Sequence, residues 1–326
     1  FLDYAINPLV GGVYAGDPAR LSVQRAFPKL YETEQRYGSL IRGQFLGARE
    51  RKRSGEVSKQ NAKKISFDKG LQVLTDTLGE RLGEGLRQDT PIKRIRKTTK
   101  GWELTCAGPE GDSVERHSSV LLAMPAHKLA DLQLETGNAA DLSPLAEINY
   151  PPVASLVLGF RRESVSHPLN GFGVLIPQVE GFNILGAIFS SSLFPDRAPP
   201  GHVTVTCYLG GTRTPEHALL SQDKQVELAL ADLRTLLGVT DTPVYEHCFR
   251  HPRAIPQYEL GYGRHLDLMS RVEKGNPGLF IAGHCRDGIS LADSLVSGEN
   301  AAERMQTFLN SNDAIDESRM DTNGHE

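Results

Sequence analysis

The stretch Gly278-Leu279-Phe280-Ile281-Ala282-Gly283-His284-Cys285-Arg286-Asp287-Gly288-Ile289-Ser290-Leu291-Ala292 decides how this chain is read. Its first six residues are apolar and bounded by glycines, the pattern of a short strand buried on both faces. Asp287-Gly288 makes a turn. From about Ser290 a helix rich in small residues runs through Ala292, Ala301 and Ala302 to Leu309. A helix that starts directly behind a buried strand presents its first backbone N–H groups near Ile289, Ser290 and Leu291. That end carries about half a positive charge, which favours an anion or an electron-rich ring edge. Gly283, Gly288 and Ala292 leave room for a large flat ligand to approach the backbone. A plain strand–turn–helix packing unit fits the same residues, because an isolated glycine motif is a weak signal.

Upstream, residues 65–126 share this style. Leu71, Leu74, Leu78 and Leu82 recur at helical spacing, Pro91–Ile95 and Gly101–Cys106 read as strands, and Val120–Pro125 is a second continuous apolar run. Residues 127–270 are richer in strands: Val153–Phe160, Phe172–Ile176, Asn183–Phe189, Val203–Leu209 and Val244–Phe249. A helix carrying Val226, Leu230, Leu233, Leu236 and Leu237 lies among them. That mixture predicts a mostly antiparallel sheet with a covering helix. Residues 1–47 look helical, with Gly11-Gly12 and Gly16-Asp17-Pro18 as turns, Ser22 as an N-cap, and Pro28 splitting the helix that follows.

Composition narrows the classes. The chain has 326 residues, 39% hydrophobic and 23% charged, with a net charge of −4. Disorder, collagen and coiled coil are excluded overall, and no global basic field argues for nucleic acid. No apolar run reaches the ~18 residues of a spanning helix, which leaves surface attachment open. Cys106, Cys207, Cys248 and Cys285 form no Cys-x-x-Cys pair, so neither a zinc site nor a disulfide framework is suggested, and a reducing compartment fits best. The basic run from Arg49 to Lys64 reads either as a solvated linker or as a contact for anionic lipid headgroups.

Several ordered motifs resemble one family. They are Gly12-Val13-Tyr14-Ala15-Gly16-Asp17-Pro18, then Leu21-Ser22 and Phe27-Pro28, Asn170–Pro177, Ser190–Arg197, Ile255-Pro256-Gln257-Tyr258, and Gly278–Gly283 with Asp287–Asp293. The chain resembles the protoporphyrinogen oxidases, FAD enzymes of the amine-oxidase-like flavoprotein group, over nearly its whole length. The resemblance implies a mixed α/β and α+β fold: a discontinuous, Rossmann-like FAD-binding domain, an antiparallel-sheet substrate domain and a helical membrane-associating region. On that pattern residues 1–64 form the membrane-associating part and 65–126 part of the FAD domain. Residues 127–270 form the substrate domain, 271–310 complete the FAD domain, and 311–326 are a flexible tail.

The resemblance also assigns residues. Ile289, Ser290 and Leu291 take the C-terminal FAD contact, and Ile92 the adenine end. Phe172, Gly173, Leu175, Ile188 and Tyr208 line an apolar porphyrinogen slot. Strand core is the alternative role for Ile188. Gly263 stands where some relatives carry a tryptophan near the flavin. The implied reaction is oxidation of a porphyrinogen methylene bridge by hydride transfer to flavin N5, with oxygen as acceptor. The cofactor carries the hard chemistry, so no catalytic acid or base is assigned. Asp287, Asp293 and His284 are tempting, but capping a turn or helix explains each. Two features depart from the pattern: no Gly-x-Gly-x-x-Gly fingerprint occurs in the chain, and neither does the family's propionate-pairing arginine. Expected partners are the porphyrinogen, oxygen and a membrane surface, with a homodimer left open. The membrane would be the inner face in bacteria, or a mitochondrial or plastid membrane. The alternatives are coproporphyrinogen as substrate, another amine-oxidase-like activity, and a non-catalytic membrane interaction module.

Overall fold

The computed structural model describes residues 1–43, 45–47, 65–108, 111–137 and 140–322, with side chains as far as Ser311. Among the described residues the helices include α1 (Asn7–Tyr14), α2 (Val23–Ala26), α3 (Pro28–Tyr37), α4 (Gln72–Leu82), α5 (Gln222–Leu237), α6 (Gly263–Gly275) and α7 (Leu291–Thr322), besides other short helical segments such as Ala126–Ala130, Ser190–Leu193 and Pro215–Leu219. The strands are β1 (Ile92–Thr98), β2 (Gly101–Gly108), β3 (Gly111–His117), β4 (Val120–Leu122), β5 (Leu134–Glu135), β6 (Val153–Arg161), β7 (Gly173–Leu175), β8 (Ile184–Ile188), β9 (His202–Gly210), β10 (Tyr245–His251) and β11 (Leu279–Ile281). The chain divides into two compact units, Phe1–Gly83 with Tyr150–Leu260, and Glu84–Asn149 with Gly261–Glu326. These breaks differ from the composition-based ones at 64/65, 126/127 and 270/271. Composition marks where residue types change, whereas contacts mark where the chain crosses between bodies. The basic run from Arg49 to Lys64 lies outside the described residues.

In the second unit the two continuous apolar runs pair as parallel strands, Leu279 with Val120 and Ile281 with Leu122. All four side chains are buried. Beside them β3-β2-β1-β5 form a four-stranded sheet in which β1 and β5 run parallel. Trp102 and Ile95 fill its core. Gly278 has φ +87, and a methyl group there would lie 2.9 Å from Trp102 Nε1, so only glycine fits beneath the indole.

Two elements here escaped the sequence reading. Strand β3, Gly-Asp-Ser-Val-Glu-Arg-His, has no apolar face to announce it. It pairs with β2 from Trp102 opposite His117 to Gly108 opposite Gly111, and its charges are matched: Arg87 with Glu115, Lys93 with Asp112, and Glu103 between Arg96 and Arg116. Arg96 first and Arg116 second hold the Glu103 carboxyl below the usual carboxylate range. Helix α6 buries His265, Met269 and Val272, a helical stripe whose first member is polar.

The first unit is built on an antiparallel sheet in the order β10-β6-β9-β8-β7. Strand β6 pairs with β9 over nine residues, from Val153 opposite Gly210 to Arg161 opposite His202. One face carries Ala154, Leu156, Leu158, Phe160, Val205, Cys207 and Leu209, which pack with Ala229, Leu230 and Leu233 of α5. Burial pushes the Cys207 thiol up to about 12. All four cysteines are free thiols. Asp232 of α5 is 4% exposed, and its Oδ2 accepts bonds from the backbone N–H groups of Asn183 (2.7 Å) and Ile184 (2.9 Å). Its Oδ1 accepts from Asn183 Nδ2 at 3.0 Å. These bonds anchor the start of β8.

Local expectations in the helical N-terminal region shift as well. Gly11 and Gly12 lie inside α1 rather than in a turn. A methyl group on Gly12 would sit 2.3 Å from Leu175 Cδ2, so the glycine admits β7 against the helix. Ser22 occupies the N-cap position of α2 without a side-chain cap bond. Pro28 does split the helix, as the first residue of α3. At the other end α7 continues to Thr322, where a fraying tail was expected from Ser311. Among the described residues no helix is long and apolar enough to cross a membrane.

Asp232→Ala should cost about 3 kcal/mol, since it strips the buried Ile184 N–H, the half-buried Asn183 N–H and one side-chain donor of their charged acceptor. Equilibrium urea unfolding reads this directly, and a loss under about 1 kcal/mol would contradict the anchoring role.

Candidate functional site

Alternation along β9 runs half-buried, buried, half-buried, so the sheet has one closed face and one less buried face. Register places the expected substrate residues on the second. Leu175 opposes Gly186, Gly186 opposes Tyr208, and Tyr208 opposes Ser155. A parallel row joins Gly173, Ile188, Thr206 and Val157. Four of the five candidates therefore share one surface. Phe172 precedes β7, 54% exposed, and its carbonyl accepts the Phe189 N–H at 3.0 Å. Ile188 lies on the less buried face, with Ala187 on the core side.

Neither row contains a charged side chain. The Tyr208 phenol is raised above its ordinary value, mainly by burial, and hydrogen-bonds Ser155. Ser190 Oγ and Thr206 Oγ1 lie 2.8 Å apart. Ser155, Val157 and Thr206 were not singled out from the sequence, although the alternation of the two paired strands carries the signal that could have found them.

Helix α1 packs against β7 and β8 beside Leu175, which stays 46% exposed. Asn7 Oδ1 accepts the Gln178 N–H at 2.9 Å, and Arg213 Nη2 donates to Ile176 O at 3.0 Å and Asn7 Oδ1 at 3.3 Å. Burial lowers the Arg213 guanidinium from its ordinary value. The motifs at Gly12–Pro18 and Ile255–Tyr258 meet in one knot. Gln257 Nε2 donates to Tyr14 O at 2.8 Å, Tyr14 Oη to Ala26 O at 2.8 Å, and the Ser22 N–H to Tyr258 O at 2.8 Å.

The residues expected to face a flavin lie in the second unit. Ile92 heads β1 opposite Cys106, half-buried. Ile289, Ser290 and Leu291 lead into α7, with Leu291 52% exposed. Ser290 caps that helix: its Oγ accepts the Asp293 N–H at 3.0 Å and donates to Asp293 Oδ2 at 2.6 Å. The Ser290 N–H donates to the same carboxylate at 3.3 Å, a reciprocal box. Gly288, at φ +128, is where a methyl group would meet Asp293 at 2.7 Å.

Asp287 accepts from Ser297 Oγ, which itself accepts the Gly283 N–H at 2.9 Å. Both aspartates are thus structural. Burial first, and His127 second, lower the His284 imidazole. Cys285 is pushed up to about 11 by burial, and its carbonyl accepts Tyr262 Oη at 2.6 Å. Gly263 opens α6. Among the described residues no three His, Cys, Asp or Glu side chains gather as a metal site would require.

Residues 1–306 match the flavin containing amine oxidoreductase family. The chain belongs to this family. It is 34% identical to a mitochondrial protoporphyrinogen oxidase of Nicotiana tabacum, over 95% of this chain and 66% of that protein. It is 27% identical to the coproporphyrinogen III oxidase of Bacillus subtilis, over 93% of this chain and 64% of the other. The chain thus spans just under two thirds of the length of these family members. A protoporphyrinogen oxidase-like structure from Exiguobacterium sp. 255-15 superposes with a TM-score of 0.75 at 23% identity, covering 94% of this chain and 64% of its own. That likeness establishes the shared fold.

Two outcomes can be measured on the second unit. Ser290→Ala should cost about 1 kcal/mol through loss of the cap, measured by thermal or urea unfolding. The lowered imidazoles of His284 and His265 stay neutral in the folded protein below their ordinary value of 6.5, while the unfolded chain takes up protons there. Stability should therefore fall as pH drops through about 6.5 toward 5. His284→Asn should flatten that fall, and a Tm–pH profile identical to the parent's would contradict it.

Proposed function

We propose that the chain supplies the substrate face and the flavin-ring side of an FAD-dependent oxidase that converts protoporphyrinogen IX to protoporphyrin IX in haem or chlorophyll synthesis. The observation that carries this reading is the shared surface of Gly173, Leu175, Ile188 and Tyr208, an uncharged floor on a rigid sheet. A flat, mostly apolar macrocycle suits a slot of such residue types. Gly173 and Gly186 keep the floor low, and Phe172 stands at its rim.

The residues present fit one side of a flavin. At the start of α7, behind Gly283 and Gly288, the capping box engages the Ser290 and Asp293 N–H groups, so Ile289, Ser290 and Leu291 would hold the ring edge through the rest of that turn and Ile92 the adenine end. The cradle for the pyrophosphate is not among the motifs of this sequence. Bound flavin supplies a hydride acceptor. The chain's own work is to orient and to exclude water: the sheet floor fixes the plane of the macrocycle, and the capped helix fixes the N–H groups. Tyr208, its phenol raised further by burial and bonded to Ser155, serves as floor rather than base. Oxygen is the proposed final acceptor.

A membrane surface is the proposed location, on the inner face in bacteria or in a mitochondrion or plastid. Exposed Leu40, Ile41, Phe45 and Leu46, next in sequence to the basic run, support it.

The test offers protoporphyrinogen and coproporphyrinogen separately to the FAD-loaded protein in air and follows porphyrin fluorescence against a no-protein control. Faster oxidation of protoporphyrinogen is expected. A preference for coproporphyrinogen would replace the substrate, and rates equal to the control despite bound FAD would remove the reading.

A further inference from the structure

The less buried face of the sheet does not end at β6. Strand β10 pairs with it so that Phe249 opposes Ser155 and His247 opposes Val157. The two rows therefore continue, one from Leu175 through Gly186, Tyr208 and Ser155 to Phe249, the other from Gly173 through Ile188, Thr206 and Val157 to His247. Tyr245 and His251 flank these residues at the same alternation. The other side of β10 is tied to α5, where Cys248 Sγ lies 2.8 Å from Gln225 Oε1. The aromatic side has no such cover: Phe249 is 52% and Tyr245 57% exposed. The His247 ring meets Phe249 edge-on, with centroids 4.3 Å apart.

Edge strands ordinarily blunt their exposed side with charge rather than with a ladder of rings. Here the ladder is continuous with a candidate ligand surface. From β8 to β10 is three interstrand steps, about 14 Å, a span comparable to a substituted tetrapyrrole. The floor from β7 to β6 is uncharged, so it offers an ionised carboxylate only hydroxyl groups, those of Tyr208, Ser155 and Thr206, and no positive charge. His247, at the far end of its row, is the first side chain there that can donate an N–H in either tautomer and carry charge when protonated.

We propose that β10 forms the carboxylate end of the porphyrinogen site, with Phe249 extending the apolar floor and His247 receiving a propionate. This rests on the porphyrinogen reading of the same face. The arrangement lets the macrocycle lie over β8 and β9 while its acidic edge reaches the strand at the rim. It also gives a ligand-based reason for the exposed rings.

The experiment titrates the protein with protoporphyrin IX and with its dimethyl ester, whose carboxylates are blocked, following the Soret band. His247→Ala should weaken protoporphyrin IX binding about tenfold and leave the ester unchanged. His247→Lys should restore the acid's affinity. Phe249→Ala should weaken both ligands, and Glu246→Gln, on the opposite side of the strand, should change neither. If the parent binds both ligands and His247→Ala treats them alike, the carboxylate role is overturned while the porphyrin-binding face stands. If the parent binds neither ligand, both readings fall together.

Discussion

The nine-residue pairing of β6 with β9 is the constraint on which the first unit depends. It fixes the side of each strand that meets α5 and the side left for a ligand. A one-residue slip of β9 would carry Val205, Cys207 and Leu209 out of the core and put Tyr208 into it. Each buried aliphatic side chain is worth about 1.5–3 kcal/mol, so several of them together make the slipped register inaccessible. The candidate surface is therefore a by-product of core packing: nothing has to hold Ile188 and Tyr208 in place beyond what already holds Leu156 and Val205.

Short motifs that catch the eye turn out to work on the backbone. Tyr14, Ala15 and Gly16 belong to a knot closed by Gln257, and a methyl group on Gly16 would lie 2.3 Å from Gln257 Oε1. Ser191 Oγ accepts the Thr204 N–H at 3.0 Å, and Arg197 reaches the Phe67 and Asp68 carbonyls. In the other unit Asp287, Ser297 and Gly283 close the turn between β11 and α7. Turns that position a ligand surface need polar side chains to satisfy exposed backbone groups, and those side chains look chemical when only the sequence is seen.

Much of the architecture was legible because it is apolar and periodic. The two runs at 120–125 and 278–283 read as buried strands because both faces are covered, and the five strands of the first unit announced themselves between turn residues. Strand β3 was silent because its charged side chains pair with Arg87, Lys93 and Glu103 instead of turning an apolar face to a core. Helix α6 was silent because His265 takes a place in its buried stripe that apolar counting passes over. Gly11-Gly12 read as a turn, since a helix interior penalises glycine by about 1 kcal/mol and only the approach of Leu175 explains why it is there. For the site, the sequence pointed to single residues, while the rows that join them belong to strand register, which pairs residues far apart in the chain.

Trp102, packed over Gly278 and 1% exposed, is the chain's one tryptophan. Its indole stands between a hairpin strand and the residue that starts the buried parallel pair, with Lys97 Nζ 5.7 Å from the ring centroid. It belongs wholly to the second compact unit. The molecule therefore carries its own optical label on one body only. Indole emission tracks the opening of the body that holds the helix start, while tyrosine and backbone signals include the sheet body as well, so the cooperativity between the two can be followed without attaching a dye.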